Sequence, residues 1–190
     1  IGIFYHQNVE RAIQAAIDSA ILSHGSKPGL ASASAIAAAI ATSIHGNCTP
    51  KDVLQAALNG AMEGEKAGFD IPAPSIAARI SLAMEVVDRN RNRTVDEISY
   101  RLYQLIGASM KSYESIPFSL GVFYAARGNF EKGLVAAINI GDDADTNGSM
   151  VGALCGAYSG ADDIRPEWIN KIRTTNQIDF LQIAERLLKK

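Results

Sequence analysis

The sequence is poor in the features that mark several classes of protein. It has only two cysteines in 190 residues, and Cys48 and Cys155 lie far apart with no C-x-x-C neighbour, so neither a disulfide framework nor a zinc knuckle is indicated. Lysine and arginine do not outnumber aspartate and glutamate (18 against 20), so the basic excess typical of a nucleic-acid-binding protein is missing. We expect buried free thiols and no nucleic-acid partner.

Long uninterrupted apolar runs are also scarce. No basic segment followed by an apolar stretch and a cleavage site marks a secretion signal, and glycine or polar residues break up each apolar run. We therefore expect a cytoplasmic protein with no membrane partner. The composition, with 47% hydrophobic and 20% charged residues, is ordinary for a globular domain, and 190 residues suffice for one core.

Apolar residues recur at helical spacing over most of the chain, which predicts an all-α fold. The first helix is expected over about residues 8–22, followed by a break at "SHGSKPG" and then an alanine-rich helix. Thr49 before Pro50 predicts the start of a third helix. Thr94 and Glu97 have the spacing of a capping box, which predicts another start.

In the second half, we expect a helix that starts at Pro117 and is joined at Gly128 to a second short helix, which leads into an acidic loop. Glycine then occurs at every fourth position from 148 to 160, on one stripe of a further helix expected to begin near residue 148. An interior glycine costs a helix about 1 kcal/mol relative to alanine. The stripe therefore indicates close helix packing or close approach of a ligand, and the packing explanation is compatible with a site at the helix start.

The acidic loop, "GDDADTNGSM", concentrates Asp142, Asp143 and Asp145 within four positions. Either a metal ion offsets their repulsion, or the run is a solvated turn that caps the next helix. An EF-hand loop beginning at Asp143 requires a glutamate at its twelfth position, where Leu154 stands, so that kind of calcium site is excluded.

A different metal site remains possible in the same loop. In an extended turn, Asp143 and Asp145 can direct their carboxylates at one centre, and Thr146 adds a hydroxyl oxygen. Hard oxygen ligands of this kind suit Mg²⁺, Mn²⁺ or Ca²⁺ better than zinc. The amide groups at the start of the following helix also favour negative charge there. Spacing alone leaves the metal site and the capped helix start both open.

The stretch "GDDADTNGSMVGALCGAYSG" resembles the C-terminal signature of the ADP-ribosylglycohydrolase family, including the dinitrogenase reductase-activating glycohydrolases. That signature has the pattern G-[GD]-D-x-D-T followed by a helix of small residues. "SAILSHG" and "RPEW" are similar to two further stretches of the family. The resemblance implies a compact orthogonal bundle of helices, with residues 1–190 forming a single all-α domain that is the C-terminal portion of a larger one.

The resemblance also implies an activity, hydrolysis of the glycosidic bond that joins ADP-ribose or a related ribosyl group to a protein side chain or a small molecule. Two Mg²⁺ or Mn²⁺ ions are expected in the complete site. Carried over position by position, the family's pattern implies metal ligation by Asp143, Asp145 and Thr146. It further implies substrate contacts by His24, Tyr113, Ser115 and Ile116.

Simpler roles are open for two of these residues. Without the resemblance, His24 would be a helix-end or surface histidine. Tyr113 would equally be an aromatic residue of the core. Within the resemblance, His24 would contact the phosphate or ribose of the substrate, and Tyr113 would lie near the nucleotide with Ser115 and Ile116 on the same wall.

The chain also departs from the family pattern. The family's other acidic cluster, its water-activating glutamate and its diphosphate-binding loop precede the part matched by this sequence, and the pair Asp162 and Asp163 does not substitute for them. The catalytic base is therefore unknown. We expect the 190-residue chain to be inactive alone and an N-terminal fragment of the same domain to complete it. The alternative is a non-catalytic binding or structural protein, like the eye-lens crystallins that resemble this family. The leaving group also stays open.

Overall fold

The structure is a computed structural model that describes residues 1–188, and in this part of the chain it contains ten α-helices, one 3₁₀ turn and no strand. The predicted all-α fold is confirmed. The helices are α1 Val9–His24, α2 Lys27–His45, α3 Pro50–Ala67, α4 Ile76–Arg89, α5 Val95–Ile106, α6 Ser112–Ala125, α7 Phe130–Asn139, α8 Ala144–Ser159, α9 Pro166–Asn176 and α10 Phe180–Leu188, with the 3₁₀ turn at Ala161–Asp163.

Side-chain caps explain where several helices begin. Thr49 Oγ1 accepts from the amide of Asp52, and the Asp52 carboxylate accepts from the amide of Thr49 at 2.8 Å, so α3 begins with a complete capping box. The predicted capping box of Thr94 and Glu97 is likewise confirmed at the start of α5. These caps satisfy amide groups that a helix start otherwise leaves without a partner.

Two predicted boundaries were wrong because of proline. The break expected at "SHGSKPG" shrinks to Gly25 and Ser26, since Pro28 lies in the first turn of α2, where a proline removes no helical hydrogen bond. Pro117 does not start α6 but lies inside it. Its missing amide leaves the carbonyl of Tyr113 without its helical donor, and Arg79 Nη1 donates to that carbonyl instead, at 3.0 Å. The tertiary bond allows the helix to continue through the proline.

Helix α6 is the centre of the core, because ten of its fourteen residues are buried, from Ser115 to Tyr124. It packs against α2, α4, α5 and α8. Both cysteines are free thiols, as expected. Cys155 is buried, and this burial raises the pKa of its thiol to about 12, whereas Cys48 is only half-buried.

Helices α2 and α3 approach each other very closely. A methyl group added at Gly64 would lie 2.5 Å from the backbone nitrogen of Ala31, so only glycine fits there. Among the described helices, α2 is long and apolar enough to cross a membrane, with a mean hydropathy of 1.2, but 67% of that segment is buried inside the protein. Ser34 and Ser43 donate to carbonyls of its own preceding turn. This burial is that of a core helix.

Helices α9 and α10 form a C-terminal arm that is attached to the rest of the chain by few contacts. Neither α9 nor the described side chains of α10 include a buried residue. The arm is held by an ion pair between Arg165 and Glu131 and by a ring contact between Trp168 and Phe130, whose centroids lie 6.5 Å apart. An exposed ion pair of this kind contributes little stability.

Candidate functional site

The acidic stretch lies where the chain reverses between α7 and α8. Gly141 and Asp142 both have left-handed backbone conformations, with φ of 77° and 55°. Aspartate is among the few residues other than glycine that tolerate this region. Helix α8 begins at Ala144, four residues earlier than expected, so Asp145 and Thr146 lie in its first turn and not in an extended turn. The expected extended turn at Asp143 and Asp145 was wrong, because the hydrogen bonds of α8 already begin at Asp143, whose carbonyl accepts from the amide of Asn147.

Asn147 fixes the start of α8 to the rest of the protein. Its side chain is fully buried, and its Nδ2 donates to the carbonyl of Ala108 at 2.7 Å and to that of Asp143 at 2.9 Å. Its Oδ1 accepts from the hydroxyl of Ser119 on α6 at 3.2 Å. A buried amide with all these partners holds its surroundings in one arrangement, because each partner would cost free energy if left unpaired.

The two candidate metal-binding carboxylates make no bond to any residue between positions 1 and 188. Asp143 occupies the N-cap position of α8, but its side chain makes no capping hydrogen bond, and neither carboxylate has an ion pair. The side-chain cap expected in the alternative interpretation is therefore absent at Asp143, whereas a solvated turn stays open. Asp145 and Thr146 are exposed, and Asp143 is half-buried. The positive end of the α8 dipole stabilises both negative charges.

These residues fit part of a divalent-cation site. Two unpaired carboxylates and a hydroxyl are hard oxygen donors of the type that Mg²⁺ and Mn²⁺ prefer. A six-coordinate ion needs further ligands, and nowhere in the described chain do three or more His, Cys, Asp or Glu side chains form a group able to hold a metal. The ligand set at α8 is thus compatible with a metal ion but is incomplete within this chain.

The glycine stripe of α8 faces α7. A methyl group added at Gly148 would lie 2.9 Å from Cγ1 of Ile138, so the close-packing explanation is correct at this position. At Gly152 and Gly156 the nearest atoms would be 3.7 and 3.9 Å away, which leaves room for a methyl group. Gly160 is not on the stripe, since it follows the helix with φ of 81°.

Tyr113 is connected to the start of α8 through the loop between α5 and α6. Arg79 Nη1 bonds the carbonyls of Ile106 and Tyr113, at 2.9 and 3.0 Å, and its guanidinium lies 5.3 Å from the centre of the Tyr113 ring. The carbonyl of Ala108 in the same loop accepts from Asn147. The structure therefore ties Tyr113 and the acidic residues to a single loop.

Of the other three predicted substrate contacts, Ser115 is joined to the α5–α6 loop, because its Oγ donates to the carbonyl of Lys111 at 3.4 Å, whereas the side chains of His24 and Ile116 make no bond to this site among the described residues. His24 is exposed in the last turn of α1, where its Nδ1 pairs with the hydroxyl of Ser23 at 2.8 Å. Ser115 and Ile116 are 4% and 7% exposed, and Ile116 belongs to the main core. Their burial leaves these two side chains little surface for contact with a ligand. Their role in lining the substrate site stays a prediction.

Sequence reasoning missed Asn147 as a site residue. The one signal was a side-chain amide in a helix of glycine and small apolar residues. A buried polar residue is informative because it needs partners.

The whole chain resembles the sequences of known proteins. The sequence model of one family, described as ADP-ribosylglycohydrolase, matches residues 1–190. An uncharacterized Escherichia coli (strain K12) protein, YegU, is 36% identical over 60% of this chain and 34% of its own length. An uncharacterized Archaeoglobus fulgidus protein is 26% identical over 95% of this chain and 53% of its own. The ADP-ribosyl-[dinitrogen reductase] glycohydrolase of Rhodospirillum rubrum is 40% identical over 35% of this chain and 22% of its own. The chain thus spans about half the length of these relatives at most.

Proposed function

The chain belongs to the ADP-ribosylglycohydrolase family, and on that premise we propose that it forms part of a hydrolase that cleaves the glycosidic bond of an ADP-ribosyl or related ribosyl conjugate. The conjugate is an ADP-ribosylated protein or a small molecule, and the name of the Rhodospirillum rubrum relative supports this substrate class. The observation that carries the proposal is the pair of unpaired carboxylates, Asp143 and Asp145, on the anchored start of α8.

In this proposal, Asp143, Asp145 and Thr146 hold Mg²⁺ or Mn²⁺, with two ions in the complete site. The remaining ligands come from an N-terminal fragment of the same domain, since the described residues supply no third acidic ligand and the chain covers only part of its relatives. When bound, such ions would supply Lewis acidity that polarises a water molecule for attack, and they would orient the hydroxyls of the ribosyl group.

The chain's own residues orient this chemistry. Asn147 keeps the first turn of α8 against the α5–α6 loop, so the two carboxylates keep a constant position. Pre-set ligand positions avoid reorganisation when the ions bind. Tyr113, tied to the same loop through Arg79, is proposed to lie beside the nucleotide, and His24 to contact a phosphate or ribose oxygen. The cytoplasm stays our prediction for the compartment.

The test is metal binding and hydrolysis in the full chain combined with its N-terminal fragment. We expect saturable Mn²⁺ binding, measured by calorimetry, and Mn²⁺-dependent release of ADP-ribose from a panel of conjugates. The double variant D143N/D145N removes two anionic ligands, so its Mn²⁺ affinity should fall at least tenfold and its hydrolysis should be lost. An unchanged Mn²⁺ affinity in this variant would overturn the proposal.

The matched control is Asp142→Asn in the same turn. Asparagine tolerates the left-handed backbone of that position, and Asp142 is exposed beside the proposed ligands. This variant loses one charge from the same turn without losing a proposed ligand. Its Mn²⁺ affinity should change by less than about threefold, which is the size expected of a screened charge effect. A loss equal to that of D143N/D145N would show general charge attraction and no specific site.

A further inference from the structure

A second concave site lies at the opposite end of α8. It is a cavity of about 400 Å³ where the start of α3, the connection between α4 and α5, and the end of α6 meet. Four cationic side chains line it, and no carboxylate does. We call it the basic pocket, and its cations are Lys51, Arg91, Arg93 and Arg127.

The cations come from three separate parts of the sequence, at position 51, at 91 and 93, and at 127, and the fold brings these parts together. Tyr158, which borders the pocket, lies thirteen residues after Asp145 on α8, which separates the two sites by about 20 Å at 1.5 Å per residue. The basic pocket is thus distinct from the proposed metal site. The formal net charge of −2 gives no indication of it.

Arg91 is held in place by neighbours that leave part of its guanidinium available. Its Nη2 donates to Asp88 at 2.7 Å and to the hydroxyl of Tyr124 at 2.9 Å, and its guanidinium carbon lies 5.9 Å from the centre of the Tyr124 ring. Tyr124 in turn donates to Asp88 at 2.8 Å. Arg91 Nη1 bonds no residue in the described part of the chain. A guanidinium fixed on one edge with free donors on the other suits an anionic ligand.

Lys51 and Arg127 have no carboxylate within ion-pair distance in residues 1–188. Of the nearby acids, Asp52 and Glu97 close the capping boxes of α3 and α5. Glu97 also pairs with Arg93 at 3.3 Å, and Asp88 pairs with Arg91 at 2.7 Å. Arg127 stands in a left-handed conformation, with φ of 53°, just after α6. Four cations therefore face one cavity, and two of them, Lys51 and Arg127, have no ion-pair partner in residues 1–188.

The form of the pocket indicates which anion it takes. Arginine binds phosphate oxygens through two parallel bonds, and three arginines contribute here. The rings of Tyr124 and Tyr158 and the side chain of Val87 add apolar surface beside the charges. A volume of about 400 Å³ lies at the small end of ligand sites and admits a small molecule, whereas a nucleic acid would need an extended basic surface. We propose that the basic pocket binds a small phosphate ester or diphosphate.

The experiment is a binding titration of the full chain with pyrophosphate, ADP and adenosine in metal-free, low-salt buffer. Calorimetry gives the affinity, and amide NMR shifts locate the site. We expect pyrophosphate and ADP to bind and to shift amides at 49–52 and 124–128, with weaker binding as salt is added. If ADP binds more tightly than pyrophosphate, the tyrosine rings also contact the adenosine part of the ligand. If the two bind equally, the pocket recognises the diphosphate alone. Both results support the proposal. Binding of adenosine as tight as that of ADP would overturn it.

The variant K51Q/R127N tests the residues. Asparagine tolerates the backbone of position 127, and Lys51 is exposed at a helix start where its charge is not stabilising. We expect binding of both phosphate probes to weaken at least tenfold. The matched control, R11Q/K171Q, removes two exposed charges on α1 and α9 and should bind like the wild type.

D143N/D145N should also bind the phosphate probes normally, which keeps this proposal separate from the metal site. Circular dichroism and the thermal midpoint establish that each variant is folded. Equal weakening in the control pair, or no binding of pyrophosphate and ADP by the wild-type chain at millimolar concentration, would overturn the proposal.

Discussion

The two ends of α8 are opposites. At its start, Asp143 and Asp145 stand unpaired beside a fully buried amide, that of Asn147. At its end, Tyr158 borders a pocket lined with lysine and arginine. Each charge sign agrees with the helix dipole, which favours anions at the N-terminus and cations near the C-terminus. One helix therefore separates the proposed cation site from the proposed anion site, although the chain is almost neutral.

The two ends also differ in how they are held. The acidic end is fixed by neutral hydrogen bonds inside the protein, from Asn147 to Ala108, Asp143 and Ser119. The basic end is fixed by exposed charged pairs, such as Arg91 with Asp88 and Arg93 with Glu97. Buried hydrogen bonds between neutral groups are insensitive to salt and pH. Exposed ion pairs weaken when salt is added and when acid protonates their carboxylates. Substitutions at either end of α8 test this difference.

The largest effect is expected from Asn147→Ala at the acidic end. The change removes three hydrogen bonds and leaves the Ala108 carbonyl and the Ser119 hydroxyl buried without this partner, so the free energy of unfolding should fall by about 2–4 kcal/mol. Urea denaturation measures it. Asn59→Ala, at an exposed position of α3, should cost less than about 0.5 kcal/mol. Similar losses in the two variants would show that Asn147 is no anchor.

A smaller effect is expected from Tyr124→Phe at the basic end. The hydroxyl of Tyr124 donates to Asp88 and accepts from Arg91, and its loss should cost about 1 kcal/mol. The control is Tyr100→Phe, because Tyr100 is 55% exposed on α5, and it should be close to neutral. Thermal unfolding of both variants checks the prediction. A loss at position 124 larger than that of Asn147→Ala would reverse the ranking of the two ends.

The variants Gly148→Ala and Gly156→Ala compare the packing near the two ends of α8. A methyl group at Gly156 meets only ordinary contacts at 3.9 Å, so the change should stabilise the protein by up to about 1 kcal/mol through helix propensity. At Gly148 the methyl group presses on Ile138 at 2.9 Å, which should offset that gain. We expect the unfolding midpoints to differ in favour of Gly156→Ala. Equal midpoints would mean that Ile138 moves aside freely.

The smallest effect is the pH response of the two capping boxes beside the basic pocket. Hydrogen bonds from Thr49 hold the pKa of Asp52 below its usual 3.8, and those from Thr94 hold the pKa of Glu97 below its usual 4.5. A lowered folded pKa gives stability that is present above the ordinary value and is lost as the pH falls through the folded value. Stability should therefore decline below a pH of about 4.5.

The variant D52N/E97Q tests this response by denaturation at several pH values. It should be less stable than the wild type at neutral pH, and the difference should narrow in acid because the wild type loses the same bonds there. A difference that stays constant with pH would contradict the assignment.

Local features of this fold were predictable, and long-range ones were not. The capping box of Thr94 and Glu97 depends on residues three apart, so the sequence shows it. The continuation of α6 through Pro117 depends on Arg79, which comes 38 positions earlier, and periodicity gives no sign of such a donor. Pro117 therefore looked like a helix start.

The candidate site shows the same division. The acidic motif was visible in the sequence because its candidate metal ligands lie within four residues. Two of the three partners of the Asn147 side chain, Ser119 and Ala108, are 28 and 39 positions away, so its anchoring role required the fold. The basic pocket was missed for the same reason, since Arg91 and Arg93 form a cationic cluster only when the fold brings Lys51 and Arg127 beside them.

The sparse attachment of the C-terminal arm has a consequence for hydrogen exchange. Helices α9 and α10 contribute no described side chain to the core, so they can open without disturbing α2 or α6. Local openings of this kind cost far less than global unfolding. Backbone amides of the arm should therefore exchange with deuterated solvent long before those of the central helices, so that the molecule exchanges in two separate units.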